Sequence, residues 1–142
     1  MTLSWETKLV SGIILLSVPT IMYGGLTLLG VLTGGTAGLA PGGVSLDETQ
    51  RDLWRAGHAH AGVWGILALV IQVLIDSARL SRPLMWTARL SAPVAAVAVS
   101  GGFFGMAFLP GFRWLLYLGA LLLLAALVLT AVGLLRNLDA SR

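Results

Sequence analysis

The sequence contains no cysteine and few charged residues, and each shortage excludes classes of protein. Without cysteine there can be no disulfide, no thiolate zinc site, no iron–sulfur cluster and no covalently attached c-type haem. Charged residues make up 11% of the chain, whereas roughly 25% is usual for soluble domains. A chain of 142 residues, 57% of them apolar, cannot hide that surface in water, because small domains have a high surface-to-volume ratio. A soluble enzyme and a disordered chain are therefore excluded.

The excess of basic over acidic residues does not indicate a nucleic-acid partner. The nine Lys and Arg residues are spread over short segments between apolar runs and form no basic stripe. Positively charged loops are typical of membrane proteins. The expected partner is therefore the lipid bilayer, and no nucleic acid is expected.

Four apolar runs are long enough to cross a bilayer, which requires roughly 20 helical residues. They are interrupted by little more than Ser, Thr, Gly and Pro and do not alternate as barrel strands do. Short connections favour antiparallel neighbours, so we predict one all-α transmembrane domain, an up-down-up-down four-helix bundle over 1–142. The predicted helices are 9–32, 53–75, 84–109 and 114–135, and the one long loop is 33–50.

The basic residues predict the orientation of the chain. Positive residues are enriched on the cytoplasmic side of membrane proteins. The six-to-three bias predicts a multi-pass protein of the bacterial inner membrane with both termini in the cytoplasm and loop 33–50 outside. The predicted inner group is Lys8, Arg79, Arg82, Arg89, Arg136 and Arg142, and the outer group is Arg51, Arg55 and Arg113.

The second predicted helix carries the only candidate chemistry, in the segment RAGHAHAGVW over 55–64. An ionisable residue inside a membrane span is by default a candidate functional residue. Residues two apart differ by about 200° around a helix, so His58 and His60 cannot share one face. His58 shares a stripe with Gly65 and is expected to face the bundle interior. His60 is expected on an apolar face beside Trp64.

Depth in the membrane brings possible partners to the level of the histidines. His58 lies about 10 Å along its helix from Arg51, at roughly 1.5 Å per residue. Met22 and Met106 come late in helices that run outward, so both fall in the same outer layer. A histidine and a thioether at one depth suit an axially ligated haem or a copper ion. The alternative is that the histidine hydrogen-bonds across helices while the methionines fill the core.

The stretch LWRAGHAHAGVWGILALV over 53–70 resembles the second transmembrane helix of subunit I of the haem–copper oxidase superfamily, nitric oxide reductases included. In that helix an arginine shortly precedes a histidine that ligates the low-spin haem near the outer face. The motif H-x-H followed by an apolar, glycine-containing run also resembles short membrane proteins related to that subunit. The resemblance implies that His58, after Arg55, is a haem ligand, and that His60 matches the second histidine of the short relatives.

The resemblance covers little more than this one helix. The oxidase subunit has many more helices and further ligand histidines, and its copper-site ligands are missing here. We therefore expect no oxygen-reducing activity and no independent catalytic activity. The sequence also contains no nucleophile–base pair and no phosphate-binding loop.

The leading hypothesis is a small inner-membrane protein, built like a fragment of that subunit, which binds haem b, with copper as second choice. Its role would be electron transfer, sensing or cofactor handling, with a respiratory redox partner. The second axial ligand could be a methionine of the same chain or a histidine of a second copy, which would require a homodimer or larger homo-oligomer. The candidate cofactor-binding residues are His58, His60, Met22, Met106, Arg55 and Trp64, and the candidate metal ligands are His58 and His60.

Two alternatives stay open. The chain could be a cofactor-free accessory or scaffold subunit in which the histidines only hydrogen-bond across helices. It could also form a proton or ion pathway along His58, Gln72 and Asp76, which share one helix face.

Overall fold

The computed structural model describes residues 2–39 and 44–139, and these form four long helices. All four helices are long and apolar enough to cross a membrane. This confirms the predicted all-α membrane fold with four helices. The helices are α1 (Trp5–Leu32), α2 (Glu48–Ile75), α3 (Arg82–Met106) and α4 (Arg113–Asp139), and a short 3-10 turn, Pro110–Phe112, precedes α4.

The first two helices begin four or five residues before their apolar runs, because polar residues cap them. The Ser4 hydroxyl accepts a hydrogen bond from the Thr7 amide at 3.1 Å. Asp47 and Gln50 form a reciprocal capping box, with each side chain accepting from the other residue's amide. The polar first turn of α2 therefore belongs to the helix, and the long loop ends before Glu48.

Helix α3 is the central packing element and lies against α2 on one side and α4 on the other. Half of its apolar window is buried, against 11% for α1. At the crossing with α4, a Cβ on Gly102 would lie 2.9 Å from the backbone nitrogen of Leu116, and a Cβ on Gly119 would lie 2.9 Å from that of Val99. Glycine is therefore required at both positions, since small residues let helix backbones approach closely in lipid.

Helix α1 is the least embedded element and packs mainly against α2. Polar contacts attach its first two turns to α2 and α3, and Gly25 attaches its C-terminal half to α2. Between these two attachments the middle of α1 borders a groove shared with α2 and α3. The positions of the two attachments relative to this groove define the candidate sites.

Candidate functional site

His58 lies between α2 and α1, with the edge of its imidazole against the α1 backbone. A Cβ built on Gly25 would lie 3.0 Å from both Cε1 and Nε2 of the ring, so glycine is what permits this approach. Neither ring nitrogen makes a hydrogen bond within the part of the chain that the structure describes. On the same stripe of α2, a Cβ on Gly62 or Gly65 would meet nothing within 4 Å, so neither glycine is there for close helix packing.

His60 lies on the other side of α2, towards α3, as the spacing of the two histidines requires. Its Nδ1 is 2.7 Å from the carbonyl oxygen of Ala56. A carbonyl can only accept, so Nδ1 carries the proton and the lone pair of a neutral ring is on Nε2. The ring lies 4.7 Å from that of Phe103 and 5.7 Å from that of Trp64, between centroids. Metal-ligating histidines are typically held in this way, with the second ring nitrogen donating to a carbonyl.

The aromatic residues around the histidines include two buried donors without partners. The indole N–H groups of Trp54 and Trp64 are buried and make no hydrogen bond within the described residues. An unpaired buried donor typically costs about 1–3 kcal/mol. Trp54 also packs edge-on against Phe104 at 5.8 Å and Phe108 at 6.0 Å, between ring centroids. We call His58, His60, Trp64 and Phe103 the histidine layer, and its polar atoms are largely unpaired.

The other predicted site residues lie apart from these contacts. Met22 is 66% exposed on the surface of α1, and Met106, the last residue of α3, is half-buried. Arg55 is exposed and pairs with Asp52 at 2.7 Å. Among residues 2–39 and 44–139, no group of three or more His, Cys, Asp or Glu residues could hold a metal ion. His58 and His60 are the only two histidines in the sequence, and they lie on different sides of α2.

The two histidines differ in the surroundings of their Nε2 atoms. With α1 in this position, the Nε2 edge of His58 is against Gly25, and a porphyrin does not fit between them. The Nε2 of His60 makes no hydrogen bond to any residue that the structure describes, and the ring is already oriented by Ala56. The donor chemistry of His60 therefore fits an axial ligand. A helical wheel cannot reveal this difference, because it depends on a side-chain rotamer and on the helix opposite.

A second polar cluster, at the other end of α2, was not predicted as a unit. Arg89 is 2% exposed and forms an ion pair with Asp76. Its guanidinium also donates to Thr7 Oγ1 at 2.6 Å and to Gln72 Oε1 at 3.3 Å. The Gln72 amide donates in turn to the Arg89 carbonyl oxygen at 2.8 Å. Together with Ser4, these residues form what we call the clamp, which joins α1, α2 and α3.

Asp76 is the anionic centre of the clamp. Its carboxylate accepts from the Ser4 amide at 2.9 Å and from the Ser4 hydroxyl at 2.8 Å. Burial alone would raise the pKa of Asp76, but hydrogen bonds from Ser4, Arg89 and Thr7 outweigh it and lower the pKa to about 2. By sequence alone, Arg89 is counted among the basic residues predicted on the cytoplasmic side, whereas the structure buries it between the helices in an ion pair with Asp76. The remaining bias of basic residues still favours the predicted orientation.

The contacts of the clamp argue against the proton or ion pathway suggested along α2. Gln72 and Asp76 are already engaged with Arg89. About 20 Å of helix separates His58 from Gln72, at roughly 1.5 Å per residue. On the same stripe, this interval presents Gly62, Gly65 and Leu69, which cannot relay a proton through their side chains. The clamp therefore has the features of a contact that holds the helices together.

Comparisons with protein-family models, with curated proteins and with solved structures gave no match to this chain. The interpretation of the site rests on its geometry and on the resemblance of helix 2.

Proposed function

We propose that this protein is a small haem b-binding protein of the bacterial inner membrane, with the helix-2 histidines as axial ligands. Its role would be electron transfer, sensing or cofactor handling with a respiratory redox partner. The observation that carries the proposal is the state of His60, whose Nδ1 donates to Ala56 while Nε2 is left free. The resemblance of residues 53–70 to the haem-ligating helix of oxidase subunit I supports haem binding by this helix, but it implies His58 and not His60 as the ligand.

The second axial ligand in this proposal comes from a second copy of the chain. His58 and His60 point to opposite sides of α2 and cannot clamp the two faces of one haem. Met22 is exposed on α1, which lies on the His58 side of α2, whereas His60 lies towards α3. A homodimer that shares its haem across the His60 side satisfies both observations.

Residues of the chain would bind the haem and cover it with apolar side chains. Ala56 holds the imidazole of His60 in one tautomer, and Phe103 and Trp64 cover its ring with apolar surface. When bound, a haem would supply a one-electron redox centre whose potential depends on its axial ligands and on burial. A copper ion at the same imidazoles is the second choice.

The test is the absorbance of the full chain, purified from membranes of cells supplied with a haem precursor. We expect a Soret band that His60→Ala removes, since loss of a ligand typically abolishes a site. Val63→Ala, on the exposed face of the same helix, is the matched control and should leave the band unchanged. A band that survives His60→Ala and disappears with His58→Ala would return the ligand to the position that the family resemblance implies.

A cofactor-free accessory subunit is the second candidate, and one contact favours it. His58 packs closely against Gly25, as is expected where two helices simply pack against each other. A colourless protein that binds neither haem nor copper would support this candidate and overturn the proposal.

A further inference from the structure

The connection between α2 and α3 lies against the last turns of α4. The Arg79 amide donates to the Gly133 carbonyl oxygen at 2.8 Å, and Asn137 Nδ2 donates to the Ser77 carbonyl oxygen at 2.9 Å. A Cβ on Gly133 would lie 2.8 Å from the Cβ of Ala78, so glycine is what permits this approach. These contacts fix the position of the connection relative to α4.

The same contacts place two arginines side by side. In a helix the carbonyl of one residue points along the axis to the amide four residues later, so the Arg79 backbone lies beside Arg136 and Asn137. Both arginines are exposed. Neither guanidinium has a hydrogen bond or an ion pair among the side chains that the structure describes. We call Arg79 and Arg136 the arginine pair.

The acidic side chains that the structure describes at this end are engaged or lie elsewhere. Asp76 comes three residues before Arg79, but its carboxylate is held by Ser4 and Arg89 in the clamp. Glu6 belongs to α1, which packs mainly against α2. Two neighbouring positive charges repel each other, and an anion between them removes this repulsion. The arginine pair is therefore suited to an external anion.

A shallow apolar groove lies next to the arginine pair. Its volume is about 320 Å³, and it lies between the end of α2 and the last turns of α4. No charged residue lines it, and two of its residues flank Arg136 in sequence. The lining residues, which include three leucines of α4, are Ser77, Leu134, Leu135, Asn137 and Leu138. The surface thus offers apolar contact and unpaired positive charge side by side.

We propose that this surface binds an anionic phospholipid of the phosphatidylglycerol type, whose only charge is its phosphate. The arginine pair holds the phosphate, and one acyl chain lies in the groove. The surface lies where α2 and α4 end, which is the level of the lipid headgroups. Arginine suits this role because its planar guanidinium can bind phosphate through two hydrogen bonds. Basic pockets between membrane helices are a known mode of headgroup recognition.

Two related molecules fit the surface less well. A zwitterionic lipid such as phosphatidylethanolamine carries the same phosphate, but its ammonium group is repelled by the arginine pair. A soluble phosphate would satisfy the arginines but leave the groove empty. The inference is independent of the haem proposal, because the surface lies at the opposite end of α2 from the histidine layer.

The experiment uses native mass spectrometry of the full chain in a non-ionic detergent, which counts the lipids that stay bound. The probes are dioleoyl phosphatidylglycerol and dioleoyl phosphatidylethanolamine, which share their acyl chains and phosphate. We expect the first phosphatidylglycerol to bind about five- to thirtyfold more tightly, the range for one or two arginines near an anionic headgroup. Inorganic phosphate should displace it no better than acetate at the same ionic strength.

Paired variants test the assignment. Arg79→Gln with Arg136→Gln should remove the preference for phosphatidylglycerol. The matched control, Lys8→Gln with Arg113→Gln, removes the same charge from two other exposed positions and should preserve it. Arg79→Lys with Arg136→Lys should keep most of the preference, since lysine also binds phosphate, as a point charge. All these variants keep the contacts with α4, which use the backbone of residue 79 and the side chain of Asn137.

A second measurement is the melting temperature with each lipid. Phosphatidylglycerol should raise it more than phosphatidylethanolamine in the unmodified protein, and equally in both lipids the proposal fails. Cations near helix C-termini are stabilising in themselves. If that is the only role of the arginine pair, the glutamine variant melts lower by the same amount in both lipids, which would overturn the proposal. Loss of the preference in the control variant, or displacement by inorganic phosphate, would also overturn it.

Discussion

The clamp and the histidine layer are both polar clusters on α2, but they are built in opposite ways. In the clamp, the Asp76 carboxylate, the Gln72 amide and the Arg89 guanidinium each have hydrogen-bond partners on another helix. In the histidine layer, His58 and the Trp64 indole have no hydrogen-bond partner among the described residues, and His60 has one, to its own helix. A satisfied cluster holds helices together, whereas an unsatisfied one contributes no hydrogen bonds between helices.

The largest expected effect is on the clamp. Asp76→Asn should destabilise the protein by about 3–5 kcal/mol, because it leaves the buried Arg89 without its counter-ion. The matched control is Asp52→Asn, which breaks the exposed pair with Arg55 and should cost less than about 1 kcal/mol. Thermal unfolding in detergent measures both. Equal shifts in the two variants would mean that the clamp contributes no more than a surface pair.

The same carboxylate should make stability depend on acid pH. The folded pKa of Asp76, about 2, lies below its ordinary value of 3.8. The stabilisation by the charged carboxylate is therefore present above its ordinary pKa and is lost as the pH falls towards 2. Unfolding curves between pH 7 and pH 2 should show this loss, and Asp76→Asn should lack this component. An unchanged profile in that variant would assign the acid sensitivity to other groups.

A smaller effect is expected where α3 crosses α4. Gly102→Ala places a Cβ 2.9 Å from the Leu116 backbone nitrogen, so the helices must separate, at a cost of about 1–3 kcal/mol. The matched control is Gly62→Ala on α2, where the new Cβ meets nothing and helix propensity improves by up to about 1 kcal/mol. Melting temperatures should move in opposite directions. A shift of the same sign in both variants would contradict the packing described for these glycines.

The predicted orientation in the membrane can be tested with substitutions that should not change stability. The chain has no cysteine, so single cysteines at Ser45 and Ser81, both exposed, report only on their own positions. An impermeant maleimide should label the first in intact cells and the second only after lysis, since the basic residues predict that they lie on opposite sides. Labelling of both from outside would contradict the predicted membrane topology and the depth argument that rests on it.

The fold could be predicted from sequence because membrane helices are specified by long apolar runs, which act locally. The opposite placement of His58 and His60 also follows from helix geometry alone. The clamp could not be predicted, because the pairing of Arg89 with Asp76 depends on how α2 and α3 are rotated towards each other. The hydrogen bond from His60 to Ala56 could not be predicted either, because it depends on the side-chain rotamer of His60.

The most direct test of the central claim compares one variant from each cluster in haem absorbance and thermal stability. His60→Ala should remove the Soret band without a large change in melting temperature. Thr7→Val, nearly the same in shape, should lower the melting temperature by removing the bonds to Arg89 and Gln72, and should keep the band. A Soret band that survives His60→Ala would contradict the assignment of haem binding to His60. A band that is lost equally in both variants would contradict the distinction between a binding site at His60 and a clamp that only holds the helices together.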